Sequence, residues 1–133
     1  MTETRAFPLA DVLSVTTPLL LSERKAEGLT DLLNWMTGDH LELWQLPRAA
    51  DEARPALIAQ HPFLADLQPP AVGGRLRKVT LLMWLATATM THGGTLDVLP
   101  LTGWVHQPPL QELVDRVELA HLRTAPSGTE VPR

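Results

Sequence analysis

The chain has 133 residues and a formal net charge of −4 at pH 7, which suits one domain with its own core and argues against a broad phosphate-binding face. Cysteine is absent, so disulfides, thiolate metal sites and a cysteine nucleophile are excluded. Residues 1–12 contain no basic segment leading into an apolar run, and the longest uncharged apolar run, residues 79–91, is too short to span a bilayer. We therefore expect a soluble intracellular protein.

The first part of the chain predicts short helices joined by stiff loops, because most of its prolines lie at expected element boundaries. Residues 1–6 are expected to form a flexible tail, and a short helix is predicted over residues 8–17. A second helix is predicted over residues 28–37, where leucines recur at helical spacing. Gly38 follows at the position where a left-handed C-terminal cap is favoured.

Two further helices are predicted in the middle of the chain. One begins near Pro47 and ends at Pro62, with a kink or a break expected at Pro55, because proline removes a backbone donor. The other, residues 76–91, has apolar residues on nearly every side. Helices of that kind normally lie inside a core, so we expect this helix, including Trp84, to be central.

The pattern changes in the last third of the chain. Alternation in residues 95–101 predicts a strand, and Pro108-Pro109 is expected to open a helix. Residues 118–124 form either a second strand that pairs with 95–101 or a continuation of that helix, and we favour the strand. Residues 125–133 are expected to form a flexible tail.

The expected fold is therefore α+β. It has mainly short helices around a central helix at residues 76–91, and a small antiparallel β element in the C-terminal half. Residues 7–124 form the single predicted globular domain.

Five histidines suggest a metal site, but each is more than four residues from the next, unlike the usual paired ligand motifs. The competing interpretation is that they lie in loops and near helix C-termini, where positive charge is favourable. No metal ligand or catalytic residue is assigned. The alternative that stays open is a small metal- or ligand-binding enzyme domain that uses His40, His92 and His106 with Asp39.

Aromatic and charged residues near loops indicate a partner-binding surface instead. Tryptophan at partly exposed positions is common in interface hot spots, and Trp44 is surrounded by leucines in the sequence. A Gly-Gly turn then leads into a basic helix start. The predicted partner-binding residues are His40, Glu42, Trp44, Arg48, Asp51, Glu52, Arg54, Arg75, Arg77 and Lys78.

Several segments carry a family resemblance. They are FPLADVLS at residues 7–14, DLLNWMTGD at residues 31–39, QLPRAADE at residues 45–52, WVH at residues 104–106 and ELVDRV at residues 112–117. Together they resemble a small uncharacterised family encoded by bacteriophages and prophages. The resemblance implies a phage gene product that acts in the cytoplasm of a bacterial host, and it assigns no catalytic residues.

The function expected from these observations is non-enzymatic. The protein is predicted to bind and inhibit or modulate a host bacterial protein or complex, with an anti-defence (anti-CRISPR-like) inhibitor as the leading case. A nucleic-acid-binding regulator is a further alternative, which requires a basic face. No cofactor, no membrane association and no direct nucleic-acid contact are expected, and the oligomeric state is left open.

Overall fold

The computed structural model describes residues 3–124, the last six of them by backbone alone. The tail predicted at residues 125–133 lies outside the described residues. The regular elements are β1 (Arg5–Pro8), α1 (Leu9–Thr16), α2 (Ala26–Thr37), α3 (Leu46–Gln60), α4 (Arg77–His92), β2 (Thr95–Val98) and α5 (Pro109–Thr124), with short 3₁₀ turns at Leu43–Gln45, Pro62–Ala65 and Gly74–Leu76. The predicted α+β class is confirmed.

The core lies between α1, α2 and α3, which contact one another. Each helix buries one apolar stripe, for example Leu32, Leu33 and Met36 of α2, because residues three and four apart share a helix face. Gly38 ends α2 in the left-handed conformation, with φ of 70°. The predicted glycine cap is thereby confirmed.

The α3 helix continues through Pro55 as one element, so the predicted break at that proline does not occur. Ala49, Ala53 and Leu57 are fully buried at four-residue spacing and hold both halves of α3 against the core. Pro55 lies on the exposed side. Water can therefore satisfy the carbonyl that loses its helical partner there.

The sheet corrects the predicted β element. The strand β2 pairs antiparallel with β1 from the N-terminus, with Phe7 opposite Leu96 and Arg5 opposite Val98, and residues 118–124 belong to α5. The small β element is therefore not confined to the C-terminal half. Residues 5 and 6 also lie in a strand instead of a tail. Leu96 and Val98 bury their side chains beside Phe7. The sequence did not reveal β1 because a strand of four residues is too short to show a pattern of alternating apolar and polar residues.

The helix predicted to be central is peripheral. In α4 only Ala88 is buried, whereas Val79, Met83 and Met90 are 53%, 66% and 87% exposed. The helices α1, α2 and α3 and the sheet already fill the core, so α4 covers it with one side and keeps apolar residues on the other. No helix in the described part of the chain is long and apolar enough to cross a membrane.

A close approach between α1 and α2 explains a glycine inside a helix. Asp11 of α1 is buried and accepts hydrogen bonds from Ser22 Oγ and, at 2.7 Å, from Arg24 Nη2. A Cβ atom at Gly28 would collide with Ser22 Oγ and with the Asp11 carboxylate. Glycine therefore lets the start of α2 pass directly over this buried charge.

Candidate functional site

A polar cluster of Asp39, Trp104 and His106 joins the end of α2 to the segment before α5. The Nδ1 atom of His106 lies 2.6 Å from Asp39 Oδ2, and Trp104 Nε1 donates to the same oxygen at 3.3 Å. The backbone N–H of His40 donates to Asp39 Oδ1 at 2.9 Å. The Asp39 carboxylate is therefore contacted by two side chains from a distant part of the sequence and by the backbone N–H of the adjacent residue.

The Asp39 carboxylate is held in its charged form. Burial raises its pKa, but the hydrogen bonds from His106, Trp104 and the His40 backbone together outweigh burial and lower the pKa below the ordinary 3.8. A charged Asp39 fixes the orientation of the His106 ring, which is otherwise largely exposed. An aspartate–histidine pair of this kind orients an imidazole as a base or ligand, but needs further groups for catalysis or metal binding.

The structure brings together only some of the residues that the metal- or ligand-binding alternative requires, which are His40, His92, His106 and Asp39. His106 meets Asp39, but His92 stacks on Phe63, with ring centroids 3.9 Å apart, and takes no part in the polar cluster. His40 contributes its backbone N–H, while its side chain borders an open cleft of about 770 Å³ beside the end of α2. Among the described residues, no group of three or more His, Asp or Glu side chains is placed to hold a metal ion.

Arg48 connects the polar cluster to α5. Its guanidinium lies 4.0 Å from the centre of the Trp104 ring and donates to the Glu112 carboxylate through Nε at 3.3 Å and Nη2 at 3.1 Å. It also donates to the backbone carbonyl of Val105 at 3.2 Å and lies 3.6 Å from Glu52. Glu112 is only 5% exposed, so this contact neutralises a buried charge.

Two neighbouring residues complete the attachment of α5. Trp44 Nε1 donates to the carbonyl of Pro109 at 2.7 Å. Gln45, which is buried, donates to Glu112 and to the carbonyl of Gln107, each at 3.1 Å. Gln45 and Glu112 were absent from the predicted site. The sequence carries no local signal for their pairing, because the two residues lie 67 positions apart.

The remaining predicted residues near α3 also make internal contacts. The Glu42 carboxylate caps the 43–45 turn, and Gln45 returns the contact to the Glu42 backbone N–H. Arg54 donates to the carbonyl of Val15 at 3.1 Å and pairs with Asp51 at the surface. The structure therefore brings Glu42, Trp44, Arg48 and Arg54 into contacts within the fold, whereas Asp51 and the His40 side chain remain at the surface.

The basic turn predicted as part of the partner-binding surface takes no part in these internal contacts. Arg75, Arg77 and Lys78 are exposed at the start of α4. No ion pair within the described residues involves any of them. They border a groove of about 530 Å³, here called the α4 groove, which is lined by Leu20, Leu21, Gly74, Arg75, Arg77, Lys78, Leu81, Leu82 and Leu85.

Comparison with known proteins gives one similarity. Residues 7–67, from the second half of β1 to two residues beyond the 3₁₀ turn that follows α3, match the family model described as Domain of unknown function (DUF7736). No curated protein and no solved structure matches the chain. The matched stretch contains Asp39, Trp44, Gln45 and Arg48, whereas their contact partners in residues 104–112 and the α4 groove's basic residues lie beyond it.

Proposed function

We propose that this protein is a non-enzymatic binding protein that associates with a host bacterial protein and inhibits or modulates it. The α4 groove is proposed as the surface that the partner contacts. The observation that carries the proposal is the combination of apolar walls and three cations that pair with no described carboxylate. The matching partner segment presents leucine-like side chains next to Asp or Glu.

Burial supports the apolar half of this surface. Leu20 and Leu82, which both line the α4 groove, are 53% and 57% exposed. Burying a large aliphatic side chain fully contributes roughly 1.5–3 kcal/mol. Covering these two half-exposed leucines is therefore a favourable term for association.

The charge of the α4 groove supports an acidic group in the partner segment. Arg75, Arg77 and Lys78 are clustered at the N-terminal end of α4, where the helix dipole adds partial positive charge. A carboxylate of the partner placed there is attracted both by the three cations and by the helix dipole. Rim charges of this kind chiefly raise the association rate and make binding salt-dependent.

The resemblance to phage-encoded proteins supports the host partner. An anti-defence (anti-CRISPR-like) inhibitor is the specific form we propose, because an inhibitor can act by occupying a surface of its target without a catalytic group. The polar cluster of Asp39, Trp104 and His106 then serves to position the C-terminal segment.

Affinity capture with matched variants tests the proposal. The groove variant Arg75→Glu/Arg77→Glu and the control Lys25→Glu/Arg116→Glu change the net charge equally, and all four positions are exposed. Lysates from bacteria with and without defence systems are passed over wild type and both variants. A partner recovered by wild type and the control, but lost with the groove variant and at high salt, is the expected result.

Equal recovery by the groove variant would refute the assignment of the surface. Recovery of no protein from either lysate would refute the proposed function. Recovery of nucleic acid in place of protein would do the same and would favour the regulator alternative.

A further inference from the structure

The open cleft of about 770 Å³ beside the end of α2, here called the α2 cleft, has its own chemistry. Its walls come from the start of β1, the C-terminal half of α2 and residues 100–101. A cleft of this size can hold a small molecule, or one peptide side chain with its flanking backbone. The α4 groove is built from other residues, so the inference below does not rest on the proposed function.

Trp35 supplies an aromatic wall that is already fixed in place. Its ring packs partly against the core, and the rest of it borders the α2 cleft. The indole Nε1 donates to the carbonyl of Val98 at 2.9 Å. A ligand that contacts the open part of this ring therefore has no ordering of the side chain to drive, which favours binding.

The C-terminal end of α2 leaves hydrogen-bond acceptors beside the same cleft. The carbonyl of Met36 accepts from the N–H of Leu101 at 2.7 Å. Those of Trp35 and Thr37, which both border the cleft, accept from no donor in the described part of the chain. The last carbonyls of a helix need donors from outside it, and this end of the helix dipole is negative. The cleft therefore offers acceptors to a cationic donor.

The charged side chains of the α2 cleft have the same sign as this helix end. Glu3, Asp31 and Asp39 border it, against the single guanidinium of Arg5. Arg5 donates to both Asp31 oxygens, at 3.1 Å and 2.9 Å, so these two residues neutralise each other. Glu3 is exposed and forms no ion pair with another described residue. An excess of negative charge remains, opposite in sign to the α4 groove.

We propose that the α2 cleft binds a guanidinium group on an apolar stem, as in an arginine side chain of a peptide or in a small free guanidine such as agmatine. A guanidinium presents its N–H donors as a planar fork and stacks on indole rings. It can therefore contact Trp35 while it donates to the free carbonyls and to Glu3. The compact ammonium of lysine matches this planar set less well.

The protein already contains one arrangement of this kind. The Arg48 guanidinium lies 4.0 Å from the centre of the Trp104 ring and donates to the Glu112 carboxylate at 3.1 Å. The same three kinds of group, an indole, a carboxylate and backbone carbonyls, border the α2 cleft without an arginine between them. Because the α2 cleft is open to solvent, we expect weak binding of a single arginine unit, with a dissociation constant of about 0.1–1 mM.

NMR titration of the purified chain tests the proposal, with N-acetyl-arginine amide as the probe. The indole N–H of Trp35 and the backbone N–H groups of residues 34–40 are expected to shift and saturate. N-acetyl-citrulline amide is the control ligand, because it keeps the length and shape of arginine but carries no charge. It should bind about tenfold more weakly, since charge-assisted hydrogen bonds are lost. Agmatine, titrated in parallel, distinguishes the sources: tighter binding of agmatine indicates a free guanidine, and tighter binding of the arginine compound indicates a peptide.

A pair of variants at His40 tests the electrostatic part. This residue is exposed, borders the α2 cleft, and uses only its backbone N–H in the hydrogen bonds of the described residues. His40→Glu should tighten binding of the arginine compound and His40→Lys should weaken it, each by about two- to fivefold. Gln111→Glu and Gln111→Lys are the controls, because they make the same changes in charge at an exposed position on α5. Both should leave binding unchanged.

Three results would overturn the proposal. They are the absence of saturable shifts at Trp35 with either guanidinium compound, equal affinity for the arginine and citrulline compounds, and an affinity that does not respond to the charge at residue 40. Each measurement uses the purified chain alone, so its outcome is independent of the host partner.

Discussion

Replacing Glu112 with glutamine is expected to destabilise the protein far more than the same change at Glu52. Both carboxylates pair with the same guanidinium, that of Arg48, at 3.1 Å and 3.6 Å. They differ in burial, because the Glu112 side chain is 6% exposed and that of Glu52 is 45% exposed. The pair of variants therefore compares a buried, hydrogen-bonded ion pair with an exposed one that uses the same guanidinium.

The magnitude follows from the donors that the Glu112 carboxylate receives. Gln45 donates once and Arg48 donates twice to it. Glutamine removes the charge and turns an NH₂ group toward some of these donors, so at least one buried hydrogen bond to a charged group is lost at about 1.5–3 kcal/mol. We expect a total loss of about 2–3 kcal/mol for Glu112→Gln, and no more than about 0.5 kcal/mol for Glu52→Gln.

Two measurements separate global from local effects. Urea unfolding monitored by tryptophan fluorescence gives the free energy of unfolding, and amide hydrogen exchange reports on α5. The principal contact of α5 is with the 43–45 turn, so faster exchange in α5 than in α1 to α3 is expected for Glu112→Gln. Indistinguishable results for the two variants in both measurements would refute the reasoning.

Three further predictions concern the fold around the site. Gly28→Ala should lower the free energy of unfolding in urea by about 2–4 kcal/mol, because its Cβ would displace the partners of a buried carboxylate. At an ordinary helix position the same substitution stabilises by roughly 0.5–1 kcal/mol. Gly73→Ala is the control: the space there is empty, so it should be near neutral, and equal stability of the two variants would contradict the explanation. The lowered pKa of Asp39 means that its stabilising contribution is complete above the ordinary value of 3.8 and is lost as pH falls through the folded-state pKa. Acid titration of unfolding should therefore be less steep below about pH 4 in Asp39→Asn, and an unchanged slope would exclude a role for this carboxylate. Gln60 donates to the carbonyl of Leu99 at 3.2 Å and accepts from its N–H at 2.8 Å, so Gln60→Ala should cost about 1–2 kcal/mol and speed exchange of the Leu99 amide, and normal protection of that amide would count against the contact.

Local signals in the sequence were sufficient for most of the helices. The stripe of Leu32, Leu33 and Met36 predicted α2, and Gly38 predicted its end, because helix periodicity and left-handed caps depend on residues a few positions apart. The same reasoning identified the helix of α4 and the strand of β2. It also singled out Arg48 and the basic turn as charged positions of interest.

Pairing across long sequence separations was decided only by the tertiary structure. The partner of β2 is a four-residue strand that buries one side chain, Phe7, and so short a segment has no periodic signature. The approach of His106 and Trp104 to Asp39 spans more than 60 residues. No local pattern encodes such contacts, because they depend on how the helices pack.

Composition determined that α4 would be an apolar helix, but it did not determine which of its sides would be covered. Apolar residues surround the helix, so either a central or a peripheral position satisfies the sequence pattern. The decision came from the space left by α1, α2, α3 and the sheet, which admits only the side that carries Ala88 and Trp84. The opposite side remains at the surface, because no other element in the described part of the chain covers it.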